Sequence, residues 1–305
     1  MGPLHASALC WPRSARRRRD LGTSRAETWP ANLGLGPVTF ISGASLAVGT
    51  AVSRQRDDHT VGSPKIAVVF DLFRTLVCPE LVHPLAYRRV ERIADALGLE
   101  VAPMQRWFAE TKVARNRHRE PRLAERLRDY CNGVGAFPSA RAIEDALEAG
   151  DRFHLEAVRS PTPEVLKTVQ VLRERGIRVG VLSNTDEHEI RSWPESPLSR
   201  MVDAAGLSVD IGFVKPEPEA YRWILRALGE VAPRDAIFVG DGESQELVGA
   251  KNAGFREAVF MRGFVAHSGF QTPENLGRFA SEADHTIDSI SEVLELVPRT
   301  RSTSR

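Results

Sequence analysis

The sequence has few cysteines, almost no net charge and no long apolar run, and each of these absences excludes a class of protein. Its 305 residues include only Cys10, Cys78 and Cys131, whose spacing suits neither a disulfide framework nor a cysteine-based metal site. The formal net charge of +1 does not indicate general binding to nucleic acid. No stretch of about 20 apolar residues is present, so the sequence predicts no membrane span. We therefore expect a reducing, cytoplasmic location.

The composition is that of an ordinary globular protein, with 42% hydrophobic and 27% charged residues. Its length gives room for one large domain or two modest ones. We expect residues 1–62 to form a disordered leader and residues 299–305 a flexible tail. Between them, residues 63–79 and 160–298 are expected to build one domain core, which is interrupted by residues 80–159.

Short apolar runs alternate with helical patterns through most of the chain. The runs expected to form strands cover residues 65–70, 177–182, 236–239 and 258–261, and residues 284–297 predict a last short strand and helix. Such alternation favours a parallel sheet with right-handed crossovers. The expected fold class is therefore α/β, with a Rossmann-like, doubly wound parallel sheet as its core.

Residues 80–159, which we call the helical insertion, carry helical patterns only. Helices are predicted over residues 86–97, after Pro103, over residues 123–131, and after Ser139, a suitable N-cap. Four helices without an intervening strand predict a bundle inserted into the α/β domain.

Polar side chains follow the predicted strands. Asp71 follows the first strand, Ser183 and Asn184 follow the second, and Gly240-Asp241-Gly242-Glu243-Ser244-Gln245-Glu246 follows a later one. Lys215 lies in Gly-Phe-Val-Lys-Pro-Glu-Pro, before another helix. Because the carboxyl ends of parallel strands share one edge of a sheet, these side chains are predicted to converge there.

Such a group of side chains suits the transfer of a phosphoryl group. Three carboxylates held together repel one another, and a hard divalent cation such as Mg²⁺ relieves that repulsion through oxygen ligands. A lysine and a serine can hold a phosphoryl oxygen. Asp71 is then placed to attack and to form a covalent aspartyl intermediate.

These segments resemble the four motifs of the haloacid dehalogenase superfamily of hydrolases. Asp71-Leu72-Phe73-Arg74-Thr75-Leu76 resembles the first motif, D-x-D-G-T-L. Ser183 resembles the second motif, Lys215 the third, and Gly240-Asp241 with Glu246 the fourth, G-D-x-x-x-x-D. The resemblance covers roughly residues 65–298. The helical insertion resembles the cap that closes over the substrate in this family.

The resemblance implies a role for each matching position in a Mg²⁺-dependent hydrolase, with the phosphatase type favoured. The residues expected to act in catalysis are Asp71 as nucleophile, Thr75, Ser183 and Lys215. Those expected to bind the substrate are Ser183, Asn184 and Lys215. Those expected to hold the metal are Asp71, Asp241, Glu246 and the backbone carbonyl of Phe73. The expected partner is a small anionic molecule, with neither nucleic acid nor membrane, and the chain is expected to be a monomer or a homodimer.

Phe73 and Arg74 depart from the pattern of the first motif. The family's phosphatases usually have Asp at the Phe73 position, where it protonates the leaving group, and loss of a general acid costs roughly 10²–10⁴-fold in rate. Arg74 replaces a glycine in a tight turn. Asp186, Glu187 and His188 are candidates to replace the acid. One cationic side chain of the helical insertion is expected to bind the anionic substrate. The candidates are Arg88, Arg89, Arg115, Arg117, His118 and Arg119.

Phe73 also keeps three alternatives open. An aromatic residue at this position resembles the family's dehalogenases, which work without metal and have Ser where this chain has Asp241. Members that cleave carbon–phosphorus bonds use a cap lysine as a Schiff base, and Lys112 is the only lysine in the helical insertion. A binding module with little turnover is the third alternative.

Overall fold

The structure is a computed structural model and describes residues 65–299 of the chain. The predicted leader, residues 1–62, lies outside the described residues, as does the predicted tail apart from Arg299.

Six parallel strands form one sheet. They are β1 (Ala67–Phe70), β2 (Arg178–Ser183), β3 (Ala204–Leu207), β4 (Ala236–Gly240), β5 (Glu257–Met261) and β6 (His285–Ile287). Their order in the sheet is β3-β2-β1-β4-β5-β6. The chain therefore moves outward in one direction through β2 and β3 and in the other through β4, β5 and β6. A crevice is expected where that direction reverses, at the carboxyl ends of β1 and β4.

Helices cover both faces of the sheet, which confirms the predicted doubly wound α/β class. Beyond the helical insertion, the α-helices are α6 (Pro163–Glu174), α7 (Leu198–Met201), α8 (Ser208–Ile211), α9 (Pro218–Ala227), α10 (Glu246–Asn252), α11 (Arg262–Ser268) and α12 (Pro273–Glu282). Val68 and Phe70 of β1 point into one hydrophobic cluster, and Ala67 and Val69 point into the other. Among the helices of residues 65–299, none is both long enough and apolar enough to cross a bilayer.

The helical insertion separates β1 from β2 along the chain. Its helices, including the short first turn that begins at Pro79, are α1 (Pro79–Val82), α2 (Arg89–Leu97), α3 (Val101–Arg117), α4 (Leu123–Gly133) and α5 (Ala140–Arg159). Helices α2–α5 enclose a hydrophobic cluster of their own, which includes Ile93, Met104, Leu127 and Leu147. The end of α5 is anchored differently, because Ala157 and Val158 belong to the cluster beside the sheet.

Two parts of the sheet and its surroundings differ from the sequence-based expectation. No strand is expected from the sequence at residues 204–207, but these residues form β3 at one edge by pairing with β2. Their sequence, Ala-Ala-Gly-Leu, contains neither β-branched nor aromatic residues, so the strand depends on its neighbour rather than on local preference. The last predicted helix is a 3₁₀-helix, Ile290–Glu295.

Candidate active site

Asp71 is the first residue after the central strand β1. Phe70 pairs with Val181 of β2 on one side and with Val239 of β4 on the other. The backbone N–H of Asp71 donates to the carbonyl of Val239 at 2.8 Å, which extends this pairing by one residue. The carboxylate therefore starts from a rigid, buried strand end and lines a cavity at the crevice.

Lys215 joins two of the predicted acids. Its Nζ lies 2.5 Å from Oδ1 of Asp71 and 2.5 Å from Oε2 of Glu246. Burial lowers the pKa of this ammonium, but the charges of Asp71 and Glu246 outweigh burial and raise it. Lys215 is therefore a fixed positive charge beside the candidate nucleophile.

Three buried carboxylates meet at this point. Asp71, Asp241 and Glu246 each offer an oxygen, and these oxygens all lie within 4.8 Å of one another. Burial and the charges of Glu246, Glu243 and Asp71 raise the pKa of Asp241 well above its ordinary value. Burial also raises the pKa of Glu246 to about 7, although Lys215 opposes the shift.

This donor set fits a divalent cation. Three ionised carboxylates and one ammonium leave a formal charge of −2 in a buried site. The donors are carboxylate oxygens, which Mg²⁺ prefers. A divalent cation here would balance the charge and oppose the upward shifts in the pKa values of Asp241 and Glu246, which burial and the neighbouring carboxylates cause.

The loop after β4 is shaped around Glu246. Oε1 of Glu246 accepts a hydrogen bond from the backbone N–H of Gly242 at 3.0 Å. A Cβ atom on Gly240 would lie 2.0 Å from the same oxygen, so only glycine fits there. Ser244 and Gln245 both adopt φ of 53°, a left-handed conformation that costs non-glycine residues of order 1 kcal/mol or more. The loop therefore holds a strained backbone next to the carboxylates.

Arg74 occupies the glycine position of the first motif with a left-handed φ of 55°. Its guanidinium donates to Oε1 of Glu80 at 2.7 Å and lies 4.4 Å from the ring centre of Phe270. Burial lowers the pKa of Arg74, but Glu80 and Asp241 outweigh it and raise the pKa. The tight turn of the first motif thus accommodates Arg74, whose guanidinium is held by the ion pair with Glu80.

Most of the predicted site residues line one cavity of about 140 Å³. Those found there are Asp71, Phe73, Ser183, Asn184, Lys215, Asp241 and Glu246. Ser183 is buried on the cavity wall. Thr75 is fully buried but is not part of the wall, and its hydroxyl has no hydrogen-bond partner within residues 65–299. Its orienting role stays a prediction.

The helical insertion covers the other side of the cavity. The side chains that it contributes are Arg89, Lys112, Arg115, Asn116 and His154. Arg89 forms ion pairs with Asp151 of α5 and with Asp186 and Glu189 of the loop after β2. The pairs with Asp186 and Glu189 tie the insertion to the core, whereas the pair with Asp151 joins two helices of the insertion.

The candidates to replace the missing acid are mostly engaged elsewhere. Asp186 accepts two hydrogen bonds from Arg89, at 2.7 and 3.1 Å, and Glu187 accepts one from the backbone N–H of Leu123 at 2.9 Å. His188 is buried outside the cavity wall. Two of the candidate substrate-binding cations form ion pairs with the core. Arg117 pairs with Glu217, and Arg119 pairs with Asp210.

Sequence reasoning missed Asn116, Glu189 and His154. A signal for His154 was present, because it shares the buried face of α5 with Ile143 and Leu147, where a polar residue is unusual. Asn116 and Glu189 carry no comparable signal, since their neighbours along the chain are mostly polar.

Several known proteins are similar to this chain in sequence. The family model described as haloacid dehalogenase-like hydrolase matches residues 67–254. A glyceraldehyde 3-phosphate phosphatase of Methanopyrus kandleri is 28% identical over 211 residues, which cover 65% of this chain and 84% of that protein. A phosphoserine phosphatase of Thermus thermophilus is 32% identical over 124 residues, or 40% of this chain and 49% of that protein, so the match spans about half of its length.

A solved structure supports the fold. The HAD phosphatase of Thermococcus onnurineus superposes with a TM-score of 0.51 at 21% identity, over 77% of this chain and 99% of that one. The family model covers more than half of the present chain and includes every residue of the carboxylate cluster. This chain belongs to the haloacid dehalogenase-like hydrolase family.

Proposed function

We propose that this hydrolase is a Mg²⁺-dependent phosphatase that acts on a small phosphorylated metabolite through an aspartyl-phosphate. The observation that carries the proposal is the position of Lys215, which touches Asp71 and Glu246 within the carboxylate cluster that includes Asp241. Two of the relatives are named for phosphate monoesters, glyceraldehyde 3-phosphate and phosphoserine, which supports the same substrate class.

In the first proposed step, an oxygen of Asp71 attacks the phosphorus atom in line with the leaving group. The bond between phosphorus and the leaving oxygen breaks, and the phosphoryl group is left on Asp71. Lys215 and the hydroxyl of Ser183 would donate hydrogen bonds to the phosphoryl oxygens. Phe73 has no proton to give, so the leaving oxygen takes its proton from water.

In the second proposed step, water attacks the same phosphorus atom, inorganic phosphate leaves, and the Asp71 carboxylate is restored. Asp71, Asp241, Glu246 and the backbone carbonyl of Phe73 would hold Mg²⁺. The bound cation would offset negative charge on the carboxylates and on the phosphoryl oxygens. The ion pairs of Arg89 with Asp186 and Glu189 would keep the insertion over the site and limit the entry of bulk water.

Release of inorganic phosphate from a panel of small phosphate monoesters tests this proposal. We expect release with Mg²⁺, loss of release with EDTA, and recovery when Mg²⁺ is added back. Asp71→Asn should lower the rate by on the order of 10³-fold or more, because it removes the nucleophile. Asp145→Asn, which changes an exposed carboxylate on α5, is the matched control. Turnover that persists in Asp71→Asn would contradict the proposal.

The alternatives from the first motif have distinct outcomes in the same assay. Release of halide without Mg²⁺ would favour a dehalogenase, and the carboxylate cluster argues against that function. Cleavage of a carbon–phosphorus bond would need Lys112, whose side chain is exposed at the cavity wall. Tight binding of phosphate esters without any product would favour a binding module.

We further propose that the protein is located in the cytoplasm and is a monomer or a homodimer. Of the cysteines in the described part of the chain, Cys78 and Cys131 are buried and unpaired, which supports a reducing compartment. A small anionic substrate, rather than nucleic acid, remains the expected partner.

A further inference from the structure

Several contacts between the helical insertion and the core are ion pairs. Arg89, at the start of α2, pairs with Asp186 and Glu189 of the loop after β2. Arg117, at the end of α3, pairs with Glu217. The insertion also encloses a hydrophobic cluster of its own. Because polar interfaces of this kind allow adjoining domains to move, the strength of these ion pairs decides how firmly the insertion covers the cavity.

The cluster around Arg89 contains one carboxylate more than its cations can balance. Its acids are Asp151, Asp186 and Glu189, and its cations are Arg89 and Arg115. Three negative and two positive charges leave a formal charge of −1 when all five groups are ionised. An uncompensated charge in a buried place costs much free energy unless a proton neutralises it. One of the three carboxylates is therefore expected to bind a proton.

The hydrogen bonds of the three acids indicate that Asp151 takes this proton. Asp186 accepts from the backbone N–H groups of His188 and Glu189 at 3.1 Å each, and Glu189 accepts from the N–H of Asp186 at 3.0 Å. Such bonds favour the ionised form of a carboxylate. Asp151 is fully buried, and its Oδ1 has no well-aligned hydrogen-bond partner within residues 65–299, although Nε of Arg89 is near. Burial raises the pKa of Asp151 to about 7, with Arg89 opposing the shift.

The other ionisable groups around Asp151 do not replace that proton. Nδ1 of His188 lies 3.6 Å from Oδ2 of Asp151, but burial lowers the pKa of His188 to about 4, so its imidazole is uncharged at neutral pH. Burial also lowers the pKa of His154, on the same helix, well below its ordinary value. Arg92 of α2 donates to main-chain carbonyls, including that of Gly150 at 2.7 Å, and forms no ion pair with any residue in the described part of the chain. The charged or titratable groups on the other elements around α5 are exposed or bonded elsewhere, and they are Glu80, His83, Arg122, Arg152 and Arg191.

The proton on Asp151 changes the attraction between the insertion and the core. With the proton bound, the insertion contributes two positive charges, on Arg89 and Arg115, and the core contributes two negative charges, on Asp186 and Glu189. Without it, the ionised Asp151 competes for Arg89, and the insertion contributes a net charge of only +1. Loss of the proton therefore weakens the attraction across the interface.

We propose that Asp151 controls a proton-dependent latch, formed by the ion pairs of Arg89 with Asp186 and Glu189, between the helical insertion and the core. While the insertion covers the cavity, Asp151 is protonated, and Arg89 holds the two acids of the core. When the insertion moves away, water reaches Asp151, which releases its proton to the solvent. Because the closed form binds the proton more tightly, a rise in pH through neutrality favours the open form, by at most about tenfold per pH unit for one proton. The inference concerns the motion of the insertion and does not depend on the proposed phosphatase function.

Hydrogen exchange of the full chain in the presence of Mg²⁺ tests the latch. Labelling times are scaled at each pH to cancel the intrinsic pH dependence of amide exchange, and mass spectrometry follows peptides from α2 and from the loop after β2. We expect exchange through opening to rise by roughly tenfold between pH 6.5 and 8 in these peptides. In Asp151→Asn, whose side chain has the same shape and stays neutral, they should remain protected at both pH values. Asp145→Asn, which changes an exposed carboxylate on α5, is the matched control and should show the rise.

Two results would overturn the inference: an equal rise in Asp151→Asn and in the unaltered chain, or no rise in the unaltered chain. If Asp151→Asn does not fold, carbon-13 NMR of the unaltered chain, labelled at its aspartate carboxyl groups, decides instead. The resonance of Asp151 should then titrate near pH 7. Titration of that resonance below about pH 5 would show an ionised Asp151 in the closed form and overturn the inference. Phosphate release tests the proposed function separately, and its failure would leave these outcomes unchanged.

Discussion

The side chain of Asn184 holds the main chain of Lys215 with two hydrogen bonds. Its Oδ1 accepts from the backbone N–H of Lys215 at 2.7 Å, and its Nδ2 donates to the carbonyl of Lys215 at 2.9 Å. These contacts fix the loop from which the ammonium of Lys215 reaches Asp71. A residue predicted to bind substrate therefore also positions a residue of the charged cluster.

Asn184→Ala should reduce kcat more than it raises KM. Without the two hydrogen bonds, the Lys215 loop gains freedom, and a displacement of about 1 Å at a reacting group can cost on the order of 10²-fold in rate. Asn184→Asp keeps the acceptor for the N–H of Lys215 but loses the donor, so its kcat should be intermediate. Steady-state kinetics with Asn132→Ala as control provides the measurement. A kcat for Asn184→Ala equal to that of the unaltered chain would show that the loop needs no such support.

The Arg74–Glu80 ion pair explains how the first motif tolerates Arg in place of Gly. Glycine at position 74 would relieve the left-handed strain of φ 55°, a gain of about 1–2 kcal/mol. It would also leave Glu80, which is 2% exposed, without its partner, and breaking a buried pair costs about 3–5 kcal/mol.

Arg74→Gly should therefore lower the free energy of unfolding by roughly 2 kcal/mol. Adding Glu80→Gln should recover part of that loss, because no buried charge is then left unpaired. Urea denaturation of the single and double variants measures both changes. The account of this turn would be wrong if Arg74→Gly alone were more stable than the unaltered chain.

The parts of the fold that could be predicted depend on short sequence patterns, such as helix caps and apolar runs. Thr162, a residue type that favours the N-cap position, caps α6, since its hydroxyl accepts from the N–H of Val165 at 3.3 Å. Gly98 ends α2 in a left-handed conformation with φ of 66°. The apolar runs that precede Asp71 and Asp241 form β1 and β4, because runs of this kind are buried on both faces of a parallel sheet.

The parts that were not predictable depend on contacts between distant segments. Strand β3 has a weak local preference and exists by pairing with β2. The place of Lys215 before a helix, in a segment that resembles the third motif, predicts it in the site. Its ion pair with Glu246 requires the packing of α9 and α10 against the sheet. Asn116 and His154 enter the cavity only because the insertion lies over the strand ends, and the sequence does not determine that placement.

His188 should make the protein less stable in acid. Burial, aided by Arg89 and opposed by Asp186, lowers the pKa of His188 to about 4, from an ordinary value near 6.5. Between these values the unfolded chain binds the proton and the folded chain does not, so this contribution is complete above pH about 6.5 and is lost as the pH falls toward 4. The loss is at most about 3 kcal/mol.

Urea denaturation at several pH values between 4.5 and 7 measures this contribution. In His188→Gln, the free energy of unfolding should fall less steeply with decreasing pH than in the unaltered chain. His267→Gln, on the exposed side of α11, should keep the original slope. Equal slopes in His188→Gln and the unaltered chain would mean that His188 takes up its proton without unfolding.

The central claim is that Asp71 becomes covalently phosphorylated during turnover. The most direct test is to mix the Mg²⁺-loaded protein with a phosphate ester that it hydrolyses, quench the reaction in acid within the first turnover, and map the peptides by mass spectrometry. We predict one phosphoryl group, on Asp71, that disappears as inorganic phosphate is released. A reaction that releases phosphate while Asp71 stays unmodified at every quench time would contradict the account.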